Sequence, residues 1–297
     1  MTPREQGFLL LTSQLGNPNR RVLTAAQLRN LAKRAADAPR IMEDRDLTEA
    51  DLRAMGYGDE MAGRIIALLE EPELLQMYLR KGSRAGCEPI TRVTETYPAA
   101  VRRRLGLDSP GCLWAMGDLS LLNRPKIALV GSRELRTDNR EFAAEVGWQA
   151  AKQGFTLVSG NAKGADRTAQ EACLAAGGTV ISVVADELSS KYHMKRILYL
   201  SEDGFDLPFT AHRALSRNRV IHSLADAVFV AQCSLETGGT WDGTVRNLRF
   251  GWSRVYGYDD GSEAMNRLNH MGMELLHIGA LEDISVLVNL PVNLFDQ

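Results

Sequence analysis

The stretch from residue 126 to residue 258 constrains the fold most. Short apolar runs alternate there with amphipathic runs of helical length: 126-KIALVGS-132, a helix over 139–154, 155-FTLVSG-160, a helix over 166–178, then 179-TVISVVA-185. Strand-sized runs that are apolar throughout belong in a sheet covered on both faces. Strands that alternate with helices are joined by right-handed crossovers and so lie parallel. The rhythm continues with a helix over 212–225, strand 227–231, a helix over 242–251 and strand 253–258, and 284-ISVLVNL-290 reads as a final strand. The expected fold class is α/β, an open, mostly parallel sheet with helices on both faces.

The first hundred or so residues have a different grammar. Residues 24–35 open on a threonine cap and set Leu28 and Leu31 on one helix face, and 48–71 start in the same way. Gly56 and Gly58 interrupt the second pattern before Ile65, Ile66, Leu68 and Leu69 resume an apolar face. Helix, glycine-containing turn, helix is the local grammar of small nonspecific DNA-binding modules and equally of any small helical bundle. The expected division is a helical unit with linker over 1–110 and the sheet domain over 111–297. The basic run Arg102, Arg103 and Arg104 reads as a solvated helix face.

Composition narrows the class. A hydrophobic fraction of 44% with 24% charged residues is that of an ordinary globular protein rather than a disordered one. The longest apolar runs are strand-sized, which argues against a membrane partner. The N-terminal apolar patch lacks a small-residue cleavage pattern, so no signal peptide is expected and the location reads as cytoplasmic. Cys87, Cys112, Cys173 and Cys233 lie far apart with no ligand spacing, so they read as buried free thiols, and neither a metal nor a cofactor is expected. Residues 1–125 carry 18 basic against 16 acidic side chains and the remainder 17 against 21, so bulk charge selects no polyanionic partner and a local patch would have to serve.

In an open α/β sheet, ligands sit beyond the carboxyl ends of the strands, and four stretches fall there. Gly131, Ser132 and Arg133 end the first strand with a tight turn, a hydroxyl and a guanidinium able to fork onto phosphate. In 159-SGNAKGAD-166, Ser159, Gly160 and Gly164 are expected to free backbone amides as an anion nest beside Lys163. Asp166 there serves either as a helix cap or as an acceptor for a ribose or a base. Arg217, Asn218 and Arg219, with Arg213 just upstream, form a dense donor cluster expected to touch phosphate. Ser234, Gly238, Gly239 and Thr240 form a second phosphate-sized nest at another helix start. The spacing fits neither the dinucleotide fingerprint nor a P-loop. No catalytic constellation is legible: Cys233 and Ser234 have no evident relay, and His193, His212 and His222 have no assigned role.

Taken in order, 131-GSR-133, 159-SGNAKGAD-166, Lys191-Tyr192, 217-RNR-219, 234-SLETGGT-240 and 272-GMELLHIGA-280 resemble the DNA-processing protein A (Smf) family over roughly residues 115–282. The N-terminal part is similar to that family's sterile-alpha-motif-like or helix-hairpin-helix-like extension. The resemblance implies a Rossmann-like domain without enzymatic activity that binds single-stranded DNA, forms a homodimer and helps load the recombinase RecA in DNA uptake or recombination. Carried over, Gly131, Ser132 and Arg133 line the pocket, Ser159, Gly160, Gly164 and Asp166 shape its second side, and Arg217, Asn218 and Arg219 its third. Tyr192 and Trp241 are the aromatic candidates for stacking. The chain departs from the family pattern at Ala165, at Gln170 and in the loop beginning Ser234-Leu235-Glu236, and it is too short for a C-terminal winged helix. The 238-GGTWDGT-244 loop also resembles that of cytokinin-activating phosphoribohydrolases, but Val245 and Arg246 stand where their carboxylate would follow. The alternatives are therefore a sensor of a nucleotide-derived small molecule, or such a phosphoribohydrolase.

Overall fold

The fold was taken from a computed structural model, which describes residues 1–17, 19–38 and 46–289. The front of the chain is helical: α1 (Pro3–Thr12), α2 (Ala25–Asp37), α3 (Glu49–Ala54), α4 (Asp59–Leu69) and α5 (Pro72–Arg84). Thr2, Thr24 and Thr48 close capping boxes on α1, α2 and α3, each with an acid or glutamine three residues on. Leu23, Leu28, Leu52, Ala62, Ile65 and Leu68 form a small core of their own. The turn between α3 and α4 has the glycine-mediated form expected, with Gly56 at φ +85°. Asp59 and Glu60 open α4, and Asp59 pairs with Arg53 at 2.6 Å. Two carboxylates at a helix N-terminus complement its dipole and disfavour a further anion.

The sheet follows: β1 (Glu88–Thr91), α6 (Ala99–Leu105), β2 (Cys112–Met116), β3 (Lys126–Val130), α7 (Thr137–Lys152), β4 (Thr156–Ser159), α8 (Ala165–Ala175) and β5 (Thr179–Val184). The chain continues through β6 (Ile197–Glu202), α9 (Ala211–Leu224), β7 (Ala227–Val230), α10 (Gly238–Phe250) and β8 (Arg254–Tyr258). The last described elements are α11 (Glu263–His270), β9 (Glu274–Leu276) and α12 (Ile284–Asn289). Among the described residues, nine strands lie in the order β1-β2-β6-β5-β4-β3-β7-β8-β9. From β6 to β9 all neighbours are parallel, while β1 and β2 add an antiparallel edge. The Rossmann-like α/β expectation is met. β1 lies within the first 110 residues, so that stretch supplies an edge of the sheet as well as the helices.

Alternation along each strand divides the core. Ile127 and Leu129 face one layer with Phe142, Val146 and Ala169 of α7 and α8, while Ala128 and Val130 face the other with Val220, Ile221 and Leu224 of α9. Burying one such aliphatic side chain contributes roughly 1.5–3 kcal/mol. The front helices are anchored to the first layer, where Tyr78 of α5 packs against Trp114 and Phe205 at ring distances of 5.2 and 4.7 Å. Arg104 is not solvated: it donates to the carbonyl of Ser223 at 2.9 Å and to that of Ala225, tying α6 to the end of α9. All four cysteines are free and buried.

Residues 284–289 are helical rather than a strand, and Leu290 lies outside the described residues. Ile284 is fully buried and Leu287 and Val288 pack beside it, a spacing that one helix face satisfies. The carbonyl of Leu287 accepts a 2.8 Å hydrogen bond from Tyr256 Oη.

Candidate ligand cleft at the strand-order reversal

Successive strands β3 to β6 step one way across the sheet from β3, and β7 to β9 step the other way. The carboxyl ends of β3 and β7 therefore part, and a crevice opens at the reversal. It has a volume of about 570 Å³ and is walled by the turns after β3 and β7, the starts of α8 and α10, and one face of α9.

The first wall is the turn after β3. Gly131 and Ser132 are held by backbone bonds on both sides: the Ser132 amide donates to Gln232 and its carbonyl accepts from Ala165 at 3.1 Å. The Thr240 hydroxyl donates to the Gly131 carbonyl at 3.0 Å, fixing the start of α10 against the same turn. Arg133 is exposed on the cleft and makes no hydrogen bond or ion pair among the described residues.

After β4 the chain's own carboxylate takes up part of the expected nest: Asp166, in the first turn of α8, accepts the Ala162 amide at 3.1 Å and the Gly160 amide. Its countercharge is Arg217, 3.9 Å away and buried. Burial pushes the Asp166 carboxyl above its ordinary range, with Arg217 and the two amides pulling it back down. The same burial lowers the pKa of the Arg217 guanidinium. Arg217 Nη1 donates to the carbonyls of Gly160 and Val183, knitting the ends of β4 and β5 together. This contact explains the glycine, since a Cβ at residue 160 would lie 2.2 Å from the guanidinium carbon. Gly164, at φ +87°, passes so close to the Ser132 and Arg133 carbonyls that a Cβ would meet them at 2.4–2.5 Å. Ser159 is fully buried and accepts from Gln170 within the core. Lys163, on the same loop, is exposed and unpaired among the described residues but does not line the cleft.

The arginine–asparagine–arginine triplet is not one surface. It lies inside α9, where successive residues are about 100° apart around the axis. Arg217 points into the strand ends. Asn218 lines the cleft and donates to the Gly239 carbonyl at 2.9 Å. Arg219 leaves on the opposite side and pairs with buried Glu202 at 2.8 Å. Arg213 is equally committed, donating to the Ala185, Leu207 and Pro208 carbonyls at 2.7–3.0 Å and to the Ser201 hydroxyl. Burial raises the Glu202 carboxyl against the pull of Arg219.

The wall after β7 keeps its open amides. Ser234 and Thr237 form a small bridge, and α10 begins at Gly238, whose φ is +84°. No side chain caps this thirteen-residue helix and no acid sits in its first turn. Gly238 and Gly239 thus present the positive end of a helix dipole to the cleft. Two side chains that the sequence had not singled out complete the lining: Phe209, 54% exposed, and Leu215, 44% exposed. An aromatic just ahead of the Thr210 cap of α9 was the available signal. Tyr192 is 87% exposed and Trp241 packs against the second core layer, and neither lines the cleft. His222 lies at the floor; His193 and His212 are exposed elsewhere. Burial pushes the Cys233 thiol up to about 12, far from a nucleophile's range. Among the described residues no group of three acidic, histidine or cysteine side chains could hold a metal ion, and no helix is long and apolar enough to cross a membrane.

The fold and the cleft define a Rossmann-like α/β protein in which, among the described residues, the uncapped start of α10 and the unpaired guanidinium of Arg133 meet at the strand-order reversal. The family model described as DNA recombination-mediator protein A matches residues 88–245, more than half the chain, and the chain belongs to that family. It is similar to DNA processing protein DprA of Streptococcus pneumoniae, 35% identical over 142 residues, covering 44% of this chain and 50% of that one. It is also similar to protein Smf of Escherichia coli, 30% identical over 142 residues, covering 44% and 38%. The aligned part thus spans half or less of these curated relatives. Among solved structures, the X-ray structure of DprA from Streptococcus pneumoniae superposes with a TM-score of 0.73 at 24% identity, covering 97% of this chain and 98% of that one. DNA processing protein A from Helicobacter pylori superposes with a TM-score of 0.57 at 23% identity, covering 67% and 95%. At these identities the superpositions speak for the fold.

Proposed function

We propose that the cleft is the docking site for single-stranded DNA and that the protein is a non-catalytic binder acting in DNA uptake or recombination. The observation that carries this reading is the convergence of Arg133, exposed and unpaired, with the uncapped start of α10 on one crevice. A guanidinium and first-turn amides together suit a phosphodiester oxygen. Lys163 stands on the neighbouring loop as a second free cation, and Phe209 offers a flat apolar face on which a base can stack. Gly131, Ser132, Ser234 and Thr240 shape the walls, whereas Ser159, Gly160, Gly164, Asp166, Arg217 and Asn218 position them. The structure of the Helicobacter pylori protein bears on a single-stranded DNA binding mode, which supports the same reading.

The few free cations at the cleft imply modest affinity, so the active form is a homodimer that gains by avidity, and the strand it holds is passed to the recombinase RecA. The location is cytoplasmic. The helical front, with its acidic α4 start, serves for docking rather than as a second phosphate site. Fluorescence anisotropy of labelled oligo-dT of increasing length, at low and near-physiological salt, tests the reading. Affinity that grows with length and falls with salt is expected. Absence of binding at low salt overturns it, and saturation at a single nucleotide favours a sensor of a nucleotide-derived small molecule.

A further inference from the structure

On the face of α9 turned away from the cleft, a larger cavity of about 900 Å³ lies between the helical front and the sheet domain. Thr24 and Leu28 of α2 form one wall, Leu105 of α6 another, and Arg246 and Phe250 of α10 a third. Its polar end is the turn after β6, where Glu202 and Asp203 follow one another. Ser13, just beyond α1, donates to the Asp203 carbonyl at 2.8 Å, so the helical front holds that turn in place. Asp203 takes φ +69°, a region that few residues with a side chain occupy and that Asp and Asn tolerate best.

Acceptors are left over at this end. Glu202 is 6% exposed; its Oε2 accepts from Arg219 at 2.8 Å, and its Oε1 has no partner among the described residues. The Asp203 carboxylate makes no hydrogen bond or ion pair among the described residues. It opens onto the cavity yet is enclosed enough that desolvation raises its pKa, against the pull of Arg219 and Arg213. The guanidiniums of Arg104, Arg213 and Arg219 are already engaged by carbonyls, by Ser201 and by Glu202. An ionised carboxylate only accepts, so the group that completes this end carries donors. The outer wall has a different character. Arg246 is exposed and unpaired among the described residues, and Phe250, 57% exposed, stacks on Trp252 with ring centroids 5.7 Å apart. A bare cation would be repelled by Arg246 and would leave the Phe250 face unused.

A planar molecule with paired donors at one end and an anion at the other satisfies both ends, and a cavity of this volume holds one of nucleotide size. Among the nucleobases, guanine sets two adjacent donors, N1–H and N2–H, on one edge, which match the two oxygens of a carboxylate. Adenine and cytosine set a donor beside an acceptor there. We propose that this cavity binds a guanine nucleotide, with the base edge on Asp203, its face against Phe250 and its phosphate on Arg246. The site stands apart from the nucleic-acid reading of the cleft, with which it shares only α9.

Calorimetric titration of the full chain with guanosine, inosine and adenosine 5′-monophosphates, with and without saturating oligo-dT, tests it. Guanosine monophosphate is expected to bind equally well in both conditions. Inosine monophosphate lacks the N2 amino group and should bind roughly tenfold more weakly, the effect of about one hydrogen bond, and adenosine monophosphate more weakly still. Asp203→Asn, which suits the same backbone conformation, should bind guanosine monophosphate no better than inosine monophosphate. Arg246→Ala should weaken guanosine monophosphate and leave guanosine, which has no phosphate, unchanged. Should Asp203→Asn not fold, the order of the three nucleotides on wild type still decides. A dT oligomer ending in one dG that displaces guanosine monophosphate, where oligo-dT does not, would make a strand end the source of the guanine. Equal binding of the three nucleotides, absence of binding at millimolar concentration, or displacement by oligo-dT overturns the site, the last by assigning the nucleotide to the cleft.

Discussion

Arg217→Ala should destabilise the protein rather than report on a ligand contact. The guanidinium donates to two strand-end carbonyls and is the countercharge of Asp166, with both side chains at least nine-tenths buried. Truncation leaves a carboxylate in the core without its cation and two carbonyls without donors. Breaking a buried pair by removing one partner costs about 3–5 kcal/mol, and the lost charge-assisted hydrogen bonds fall within that figure rather than adding to it. For a chain of this size each kcal/mol moves Tm by about 2–4 °C, so the drop should be roughly 6–20 °C. Thermal unfolding followed by circular dichroism measures it, with Arg133→Ala as a control expected to stay within about 2 °C of wild type. Arg217→Ala/Asp166→Asn should recover part of the loss, since the orphaned charge is gone. If Arg217→Ala melts like wild type yet loses affinity for oligo-dT, Arg217 is a ligand contact and its role as an anchor is wrong.

Three further outcomes follow from the same geometry. Gly160→Ala forces the guanidinium off its carbonyls and should destabilise by about 1–3 kcal/mol, read from the same melting curves. Arg219→Ala strands the Glu202 carboxylate and should lower Tm while leaving the salt dependence of oligo-dT binding unchanged, because Arg219 lies across α9 from the cleft. The pKa of His222 is depressed on folding, so the stability gained by keeping it neutral is complete above pH 6.5 and is lost as pH falls toward about 3. Each pH unit in that window costs up to about 1.4 kcal/mol. Melting from pH 7 down to pH 4 should show a steeper loss in wild type than in His222→Gln.

The sheet was legible because buried parallel strands are apolar throughout and their helices carry caps and glycine stops. β6 escaped notice: 197-ILYLSE-202 ends in a charged residue, and partners on α9, Arg219 and Ser216, explain a buried glutamate there. The run 284–289 misled because Ile, Val and Leu in a short segment fit a strand by composition, while the side of the fold it packs on selected a helix. At the site, glycine, serine and arginine at strand ends pointed to the crevice, since a tight turn beyond a sheet requires them. What those residues do there depended on partners far along the chain. Asp166 meets Arg217, Gly160 yields space to it, and helical geometry sends Arg217, Asn218 and Arg219 in three directions. Phe209 and His222 carried no motif; their place on the cleft comes from the position of α9 alone.

The most direct test of the DNA-binding account is the salt dependence of oligo-dT affinity for wild type beside Arg133→Ala/Lys163→Ala. Those two are the exposed, unpaired cations of the cleft and its adjoining loop. Plotted as the logarithm of affinity against that of salt concentration, the double variant should bind more weakly, with a slope shallower by about 1.4, or about 0.7 per lost phosphate contact. It should melt at the wild-type temperature. A slope and affinity equal to wild type would contradict the account, because the strand would then lie somewhere other than this cleft.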